Sequence, residues 1–210
     1  MAGEEVFNRY FRKYDEWYEK NRSVYLSEIE ALKLFVNGKG KGLDIGTGTG
    51  RFAIPLGVKF GVEPSFNMAA VAKKRGVEVI AGVGEKLPFK DGVFDFVLIV
   101  VSICFFDNPL KALREAKRVL KPYGNIVIGF VDRDSFLGEY YLRKKDKSIF
   151  YRKARFFSTK EVASLLEEVG FSKFSFVQTL FDLPETLSDI QYPEMGYGKG
   201  GFVVVKGESV

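Results

Sequence analysis

The sequence predicts an α/β fold in which strands and helices alternate around a parallel sheet, and three observations carry that expectation. From Leu43 to Val131, short apolar runs of strand length are separated by stretches with the 3.6-residue repeat of amphipathic helices. A glycine run, Asp44-Ile45-Gly46-Thr47-Gly48-Thr49-Gly50, follows the first of these strands. Further on, Phe94-Asp95-Phe96-Val97-Leu98-Ile99-Val100-Val101 is almost continuously apolar, the pattern of a central strand buried on both faces.

Length and composition bound the rest. With 210 residues the chain is long enough for one α/β domain with a full core and too short for two of ordinary size. Its hydrophobic share of 46% is globular, no run approaches a membrane span, and the acidic start Met-Ala-Gly-Glu-Glu is unlike a signal peptide. The single cysteine, Cys104, excludes an internal disulfide and a thiolate-rich metal site, so a reducing cytoplasm is expected. Histidine is absent, which removes the commonest general base and the commonest zinc ligand. Chemistry must then rest on carboxylates, lysines, tyrosines or positioning, and no metal is expected. The net charge of +5 is interleaved with acidic residues along most of the chain, so it reads as a solvated surface, and nucleic acid is not the favoured partner. The charged share of 28%, with few Asn and Gln, points towards a thermophile.

Each element has its own signal. Phe7, Tyr10, Phe11, Tyr14, Trp17 and Tyr18 recur at helical steps and predict an amphipathic helix from about Glu4 to Lys20. Ser27 with Glu30 reads as a capping box opening a second helix that runs to Asn37-Gly38. After Gly50 a brief helix is expected to stop at Pro55 and Gly57. Val58 to Glu63 is a second strand, Ser65 caps a helix that stops at Gly76, and Val77 to Ala81 is a third strand. Asn108 caps and Pro109 starts the helix that follows the fourth strand, and Asn125 to Val131 is the fifth. Ser158 and Glu161 form a further capping box on a helix ending at Gly170, and Phe171 to Leu180 and Gly201 to Lys206 are the last two strands. The segment 132–157 differs in kind, with alternating charges around Phe136, Tyr140, Tyr141, Phe150 and Tyr151. In a sheet whose ligands bind beyond the carboxyl ends of the strands, it is either a substrate lid or an ordinary surface loop.

The glycine run points to a ligand. Gly46, Gly48 and Gly50 allow positive φ and let a ligand approach backbone N–H groups. Arg51 stands where the third glycine of a dinucleotide fingerprint would fall, and Asp44 would favour a cation over a pyrophosphate. Asp44-x-Gly46-x-Gly48-x-Gly50 resembles the first motif of class I S-adenosylmethionine-dependent methyltransferases, whose cofactor carries a sulfonium and an ammonium. Gly61-Val62-Glu63-Pro64-Ser65 is similar to the family's second motif, Gly82-Val83-Gly84-Glu85-Lys86-Leu87-Pro88-Phe89 to its adenine segment, and Ala112 to Gly124 to its A-L-R-E-x-x-R-V-L-K-P-G-G run. Tyr14-Asp15-Glu16-Trp17-Tyr18 looks like the Y-D-x-W-aromatic segment that covers the cofactor pocket in small-molecule members, notably the ubiquinone- and menaquinone-biosynthesis type. Two departures stand out: Val83 replaces the usual adenine-binding Asp, and the stretch from Gly50 to Glu63 is short.

The resemblance implies a Rossmann-like, doubly wound, mostly parallel seven-stranded sheet with an antiparallel C-terminal strand, helices on both faces and an N-terminal helical lid. It divides a single domain, 1–210, into a helical cap (1–38), a cofactor core (39–131), a lid insertion (132–157) and a C-terminal helix and hairpin (158–210). It implies binding of S-adenosylmethionine, with S-adenosylhomocysteine as product, by Asp44, Gly46, Thr47, Gly48, Gly50, Glu63, Pro64, Val83, Gly84, Glu85, Val101, Ser102 and Tyr14. Phe106, Asp132, Tyr140 and Tyr141 are the candidates for the acceptor side, the last three also for catalysis. The expected reaction is N- or O-methylation of a small molecule by a monomer or homodimer. Two competitors are methylation of RNA or protein on the basic segment 143–155, and a non-catalytic protein that keeps the cofactor fold. Cys104 reads as a packed thiol, because no proline precedes it as in cytosine methyltransferases.

Overall fold

The computed structural model describes residues 4–209, so the first three residues of the acidic start and the last residue of the chain lie outside the described residues. Among the described residues, eight strands form one sheet: β1 (Gly42–Ile45), β2 (Phe60–Glu63), β3 (Glu78–Ala81), β4 (Phe94–Val100), β5 (Leu120–Val131), β6 (Phe171–Thr179), β7 (Glu194–Met195) and β8 (Phe202–Ser209). Their order is β3-β2-β1-β4-β5-β8-β6-β7. The first five strands pair in parallel, and β8 runs antiparallel to both β5 and β6. The chain therefore starts in the middle, winds out to β3, and returns through β4 to build the other half. The reversal between β1 and β4 leaves a crevice beyond their carboxyl ends, the place where open α/β sheets bind ligands.

Six α-helices flank the sheet: α1 (Glu4–Lys20), α2 (Arg22–Lys33), α3 (Phe66–Lys74), α4 (Pro109–Val119), α5 (Phe136–Lys144) and α6 (Thr159–Val169). The strand period of two divides β4 between two cores. Val97 and Ile99 join a buried cluster with Leu113 and Ala116 of α4 and Leu166 of α6. Leu98 and Val100 join another with Leu32 of α2 and Ala72 of α3. Helix starts follow the caps expected of them, since Ser65 accepts from the Met68 N–H, Asn108 from that of Lys111, and Ser158 and Glu161 complete a reciprocal box.

Four local expectations are corrected. Ser27 and Glu30 do not open α2, which begins at Arg22 with Asn21 before it; Ser27 lies mid-helix, donating to the Ser23 carbonyl at 2.7 Å. After Gly50 the chain makes only turns through Gly57, because Pro55 has no N–H to continue a helix. The fifth strand starts at Leu120 rather than Asn125, with a break in register between the pairs Phe94–Leu120 and Phe96–Asn125 where Tyr123 takes φ +62°. The sheet gains an eighth, two-residue strand, β7, which pairs with β6 inside what the sequence suggests is a plain loop.

The N-terminal helix is bolted to the cofactor side of the sheet. Asp15 accepts from the Arg51 guanidinium at 2.8 and 2.9 Å, from that of Arg75 at 2.7 Å on both oxygens, and from the Thr49 hydroxyl at 2.7 Å. Two turns earlier, Asn8 accepts from the Asn67 N–H and the Ser65 hydroxyl at the start of α3.

Candidate functional site

The loop after β1 is fixed by backbone alone. Gly46, Gly48 and Gly50 take φ of +75°, +56° and +80°, a region that costs any residue with a Cβ. The Gly46 and Thr47 N–H groups both donate to the Val62 carbonyl, at 2.8 and 3.1 Å, which ties the loop to the end of β2. That strand ends on Glu63, whose two carboxylate oxygens accept from Gly48 N–H and Ser65 N–H at 2.9 Å each. A Cβ on Gly61 would lie 2.7 Å from the Thr47 side chain, so glycine there lets the loop pack onto β2. Behind the loop, Asp44 is 2% exposed; its Oδ1 and the Thr47 Oγ1 have no hydrogen-bond partner among the described residues. Burial raises the Asp44 carboxyl to about 7 and the Glu63 carboxyl to about 7, against the pull of the two N–H donors on Glu63.

A cavity of about 700 Å³ opens in front of this loop. Its floor is Gly46, Gly48, Glu63 and Pro64 from the first half of the sheet and Val100, Val101 and Ser102 from the end of β4. Tyr14, Trp17 and Tyr18 of α1 form one wall, and Tyr140, Tyr141, Phe150 and Tyr151 of the 132–157 segment form another. The rings interlock, with Phe7 4.9 Å from Phe105 and 5.4 Å from Phe150, and Tyr141 5.2 Å from Tyr151. Val101 sits on the floor at φ +53°, a strained conformation for a β-branched residue, and its N–H donates to the Gly129 carbonyl at 2.8 Å.

Of the residues expected to bind a cofactor, Gly46, Gly48, Glu63, Pro64, Val101, Ser102 and Tyr14 line this one cavity. Asp44, Thr47 and Gly50 support the loop from behind. Val83, Gly84 and Glu85 lie apart from the cavity wall: Val83 bridges to Lys86, Gly84 packs on Phe106 and Ile45, and Glu85 accepts from the Asn108 N–H at the head of α4. Tyr140 and Tyr141 line the cavity, whereas Phe106 is buried in the sheet core. Asp132 is also buried, and its oxygens are occupied by the Thr159 hydroxyl at 2.7 Å and by the Asp134 and Thr159 N–H groups. It holds the segment 132–157 to the start of α6. Cys104 packs among rings, and burial pushes its thiol up to about 12, far from a nucleophile's range. Among the described residues, no cluster of three His, Cys, Asp or Glu could hold a metal ion, and no helix is long and apolar enough to cross a membrane.

One cavity residue carries no sequence signal that was used: Glu28 of α2. It falls at helical spacing on the buried face with Val24, Ala31 and Leu32, a charged residue where the stripe calls for an apolar one. That interruption is the signal that could have found it.

Comparisons with known proteins place this arrangement. A family model described as a methyltransferase domain matches residues 43–128, from β1 into β5. An S-adenosylmethionine-dependent methyltransferase of Thermotoga maritima, described as a possible histamine N-methyltransferase, is 50% identical, with a TM-score of 0.96 over 98% of this chain and 99% of its own. The chain belongs to the class I S-adenosylmethionine-dependent methyltransferases. An uncharacterized protein of Methanocaldococcus jannaschii is 50% identical over 98% of this chain and 99% of its own length. A demethylmenaquinone methyltransferase of Staphylococcus aureus is 30% identical over 145 residues, 60% of each chain.

The residues present fit the cofactor of this family. The orphaned Asp44 oxygen, near the end of β1 behind a loop whose Gly46 and Gly48 line the cavity, suits a cationic amino-acid end, and Glu63, fixed by two backbone donors, keeps lone pairs for ribose hydroxyls.

Proposed function

We propose that this methyltransferase acts on a small molecule enclosed between the glycine loop and the aromatic walls, methylating nitrogen or oxygen. The observation that supports this is the shared cavity: Glu63 and Gly48 on one side and Tyr141 and Tyr151 on the other line the same cavity. Bound S-adenosylmethionine supplies a methyl group on a sulfonium, already activated for transfer. The chain's own residues then have to position and to exclude water. Asp44 would hold the cationic end and Glu63 the ribose, and α1 with the 132–157 segment closes over the acceptor as a lid. The single-domain layout 1–210 is part of this reading.

The basic segment gives the competing reading, methylation of RNA or protein, less support. Two of its cations are paired within the fold, Arg143 with Glu139 at 3.2 Å and Lys144 with Glu185 at 3.3 Å. The test is calorimetry with S-adenosylhomocysteine, followed by a screen of metabolite pools with methyl-labelled cofactor in which histamine is one acceptor. Label transferred to a small molecule is expected. Label transferred only to RNA or protein, with a steep salt dependence in the RNA case, overturns the proposal.

A further inference from the structure

The aromatic chamber contains one buried carboxylate that the cofactor does not need. Glu28 projects from α2 into the cavity, is 5% exposed, and its Oε2 is buried without a hydrogen-bond partner among the described residues. Burial alone raises its carboxyl to about 8. An unpartnered buried carboxyl costs on the order of 1–3 kcal/mol relative to a satisfied one, and methionine or leucine would fill the same stripe on α2 at no such cost. Phenols surround it: Tyr14 and Tyr18 from α1, Tyr25 on its own helix, Tyr141 from α5 and Tyr151 beyond it all lie within its electrostatic reach. The first two are hydrogen-bonded to each other at 2.8 Å. The floor facing Glu28 carries Glu63, the exposed Glu4 of α1 is the cavity's other carboxylate, and its cations are Lys13 and Lys20 of α1, Arg143 and Lys144 of α5 and Lys147 beyond it. All five cations are exposed side chains, screened by solvent, and none forms an ion pair with Glu28.

We propose that Glu28 is the acceptor-binding residue, and that the acceptor is a basic amine whose ammonium group pairs with this carboxylate between aromatic rings. This rests on the small-molecule reading above and narrows it from nitrogen or oxygen to nitrogen. A carboxylate in an aromatic box favours an ammonium twice over, by charge pairing and by the ring quadrupoles. A neutral alcohol would leave the buried carboxyl uncompensated, and a phenolate or carboxylate acceptor would be repelled by it. On binding at neutral pH, Glu28 gives its proton to solvent and the ammonium keeps its own, so association releases up to one proton; methylation of that nitrogen then requires the ammonium to pass one proton to Glu28, which leaves its lone pair free to react.

The experiment uses the full chain saturated with S-adenosylhomocysteine, titrated with 2-phenylethylamine and with the uncharged 2-phenylethanol. Calorimetry at pH 7 in two buffers of different ionisation enthalpy reads affinity and proton release together. The expected result is at least about tenfold tighter binding of the amine, with release of most of one proton, and in Glu28→Gln loss of both the preference and the release. The variant is expected to fold, because glutamine matches the shape of the buried, mostly protonated carboxyl, and to bind S-adenosylhomocysteine as the wild type does. Absence of amine binding, a preference that survives in Glu28→Gln, or amine binding by the wild type without proton release overturns the proposal. Failure of S-adenosylhomocysteine to bind either protein is a different result, which removes the cofactor reading beneath it.

Discussion

The two sides of the cavity are held in place by different physics. On the cofactor side, backbone groups do the positioning: Gly48 N–H and Ser65 N–H fix Glu63, and Val62 carbonyl fixes the loop. On the acceptor side the wall is mainly a set of rings in edge and stacked contact, Phe7, Phe105, Phe150, Tyr141 and Tyr151 among them. Backbone positioning demands particular residues, glycine above all, at set spacings. Ring packing demands only bulk and shape, so many sequences satisfy it. The same fold can therefore keep one cofactor while its acceptor chamber changes. Both sides nevertheless bury acids, Asp44 and Glu63 on one and Glu28 on the other.

The largest effect expected is on the backbone-held side. Glu63→Ala removes two charge-assisted acceptor positions, each worth about 1.5–3 kcal/mol, so S-adenosylhomocysteine affinity should fall by about 10²-fold or more. Calorimetry checks this, and a loss of less than about threefold would mean that Glu63 does not hold the ribose. The fold should survive with a lower Tm, because the Gly48 and Ser65 N–H groups lose their acceptor while the loop keeps its two bonds to the Val62 carbonyl.

Next in size is the bolt between the two sides. Burial alone would raise the Asp15 carboxyl, but donors from Arg75, Arg51 and Thr49 outweigh it and hold it well below the usual carboxylate range. Asp15→Asn should cost about 2–3 kcal/mol and lower Tm by roughly 4–12 °C, measured by thermal unfolding at pH 7. The depressed value sets the sign. The ionised group favours the folded state above its unfolded value near 4, and that contribution is lost as pH falls further. Wild type should therefore converge on the variant at acid pH, and a gap that persists there would show that packing, not charge, fastens α1.

The buried acids reverse that sign. Burial raises Glu28, Asp44 and Glu63 to about 8, 7 and 7, so from about pH 4.5 upward the folded state holds protons that the unfolded chain has released. Stability of the cofactor-free protein should decline as pH rises through that window. Asp44→Asn should flatten the decline, raise Tm at pH 8 by roughly 2–10 °C and weaken S-adenosylhomocysteine binding. A variant that is both less stable at pH 8 and unchanged in binding would contradict the placing of Asp44 as a ligand-facing acid.

This contrast also explains what the sequence could reveal. Strand and helix order from β1 to β5 was legible because periodicity, caps at Ser65 and Asn108, and the glycine spacing each report local backbone. The misplaced start of α2 came from a Ser and Glu at capping spacing that face other partners, Ser27 bonding backward to Ser23 and accepting from the Gln191 N–H 164 residues away. Asp132 shows the limit more sharply. Its position after β5 is that of an acceptor residue, and only tertiary contacts with Thr159 reveal that its oxygens are already taken. Glu28 is the converse: the sequence shows a charged residue interrupting an apolar stripe, and only the assembled walls show that it faces the cavity.

The smallest effect separates the rim of the acceptor side from its interior. Tyr140 lines the cavity, but its hydroxyl is spent on Glu185 and Lys144 at the surface, while Tyr141 packs inward on Tyr151 and Phe156. Exposed polar contacts of this type contribute about 0–1 kcal/mol, so Tyr140→Phe should shift Tm by less than about 3 °C and leave amine affinity within about twofold. Tyr141→Ala, which removes a ring from the chamber itself, should weaken 2-phenylethylamine binding by about tenfold while sparing S-adenosylhomocysteine. Should Tyr140→Phe prove the more damaging of the two to amine binding, the acceptor would sit at the mouth beside α5, away from the chamber around Glu28.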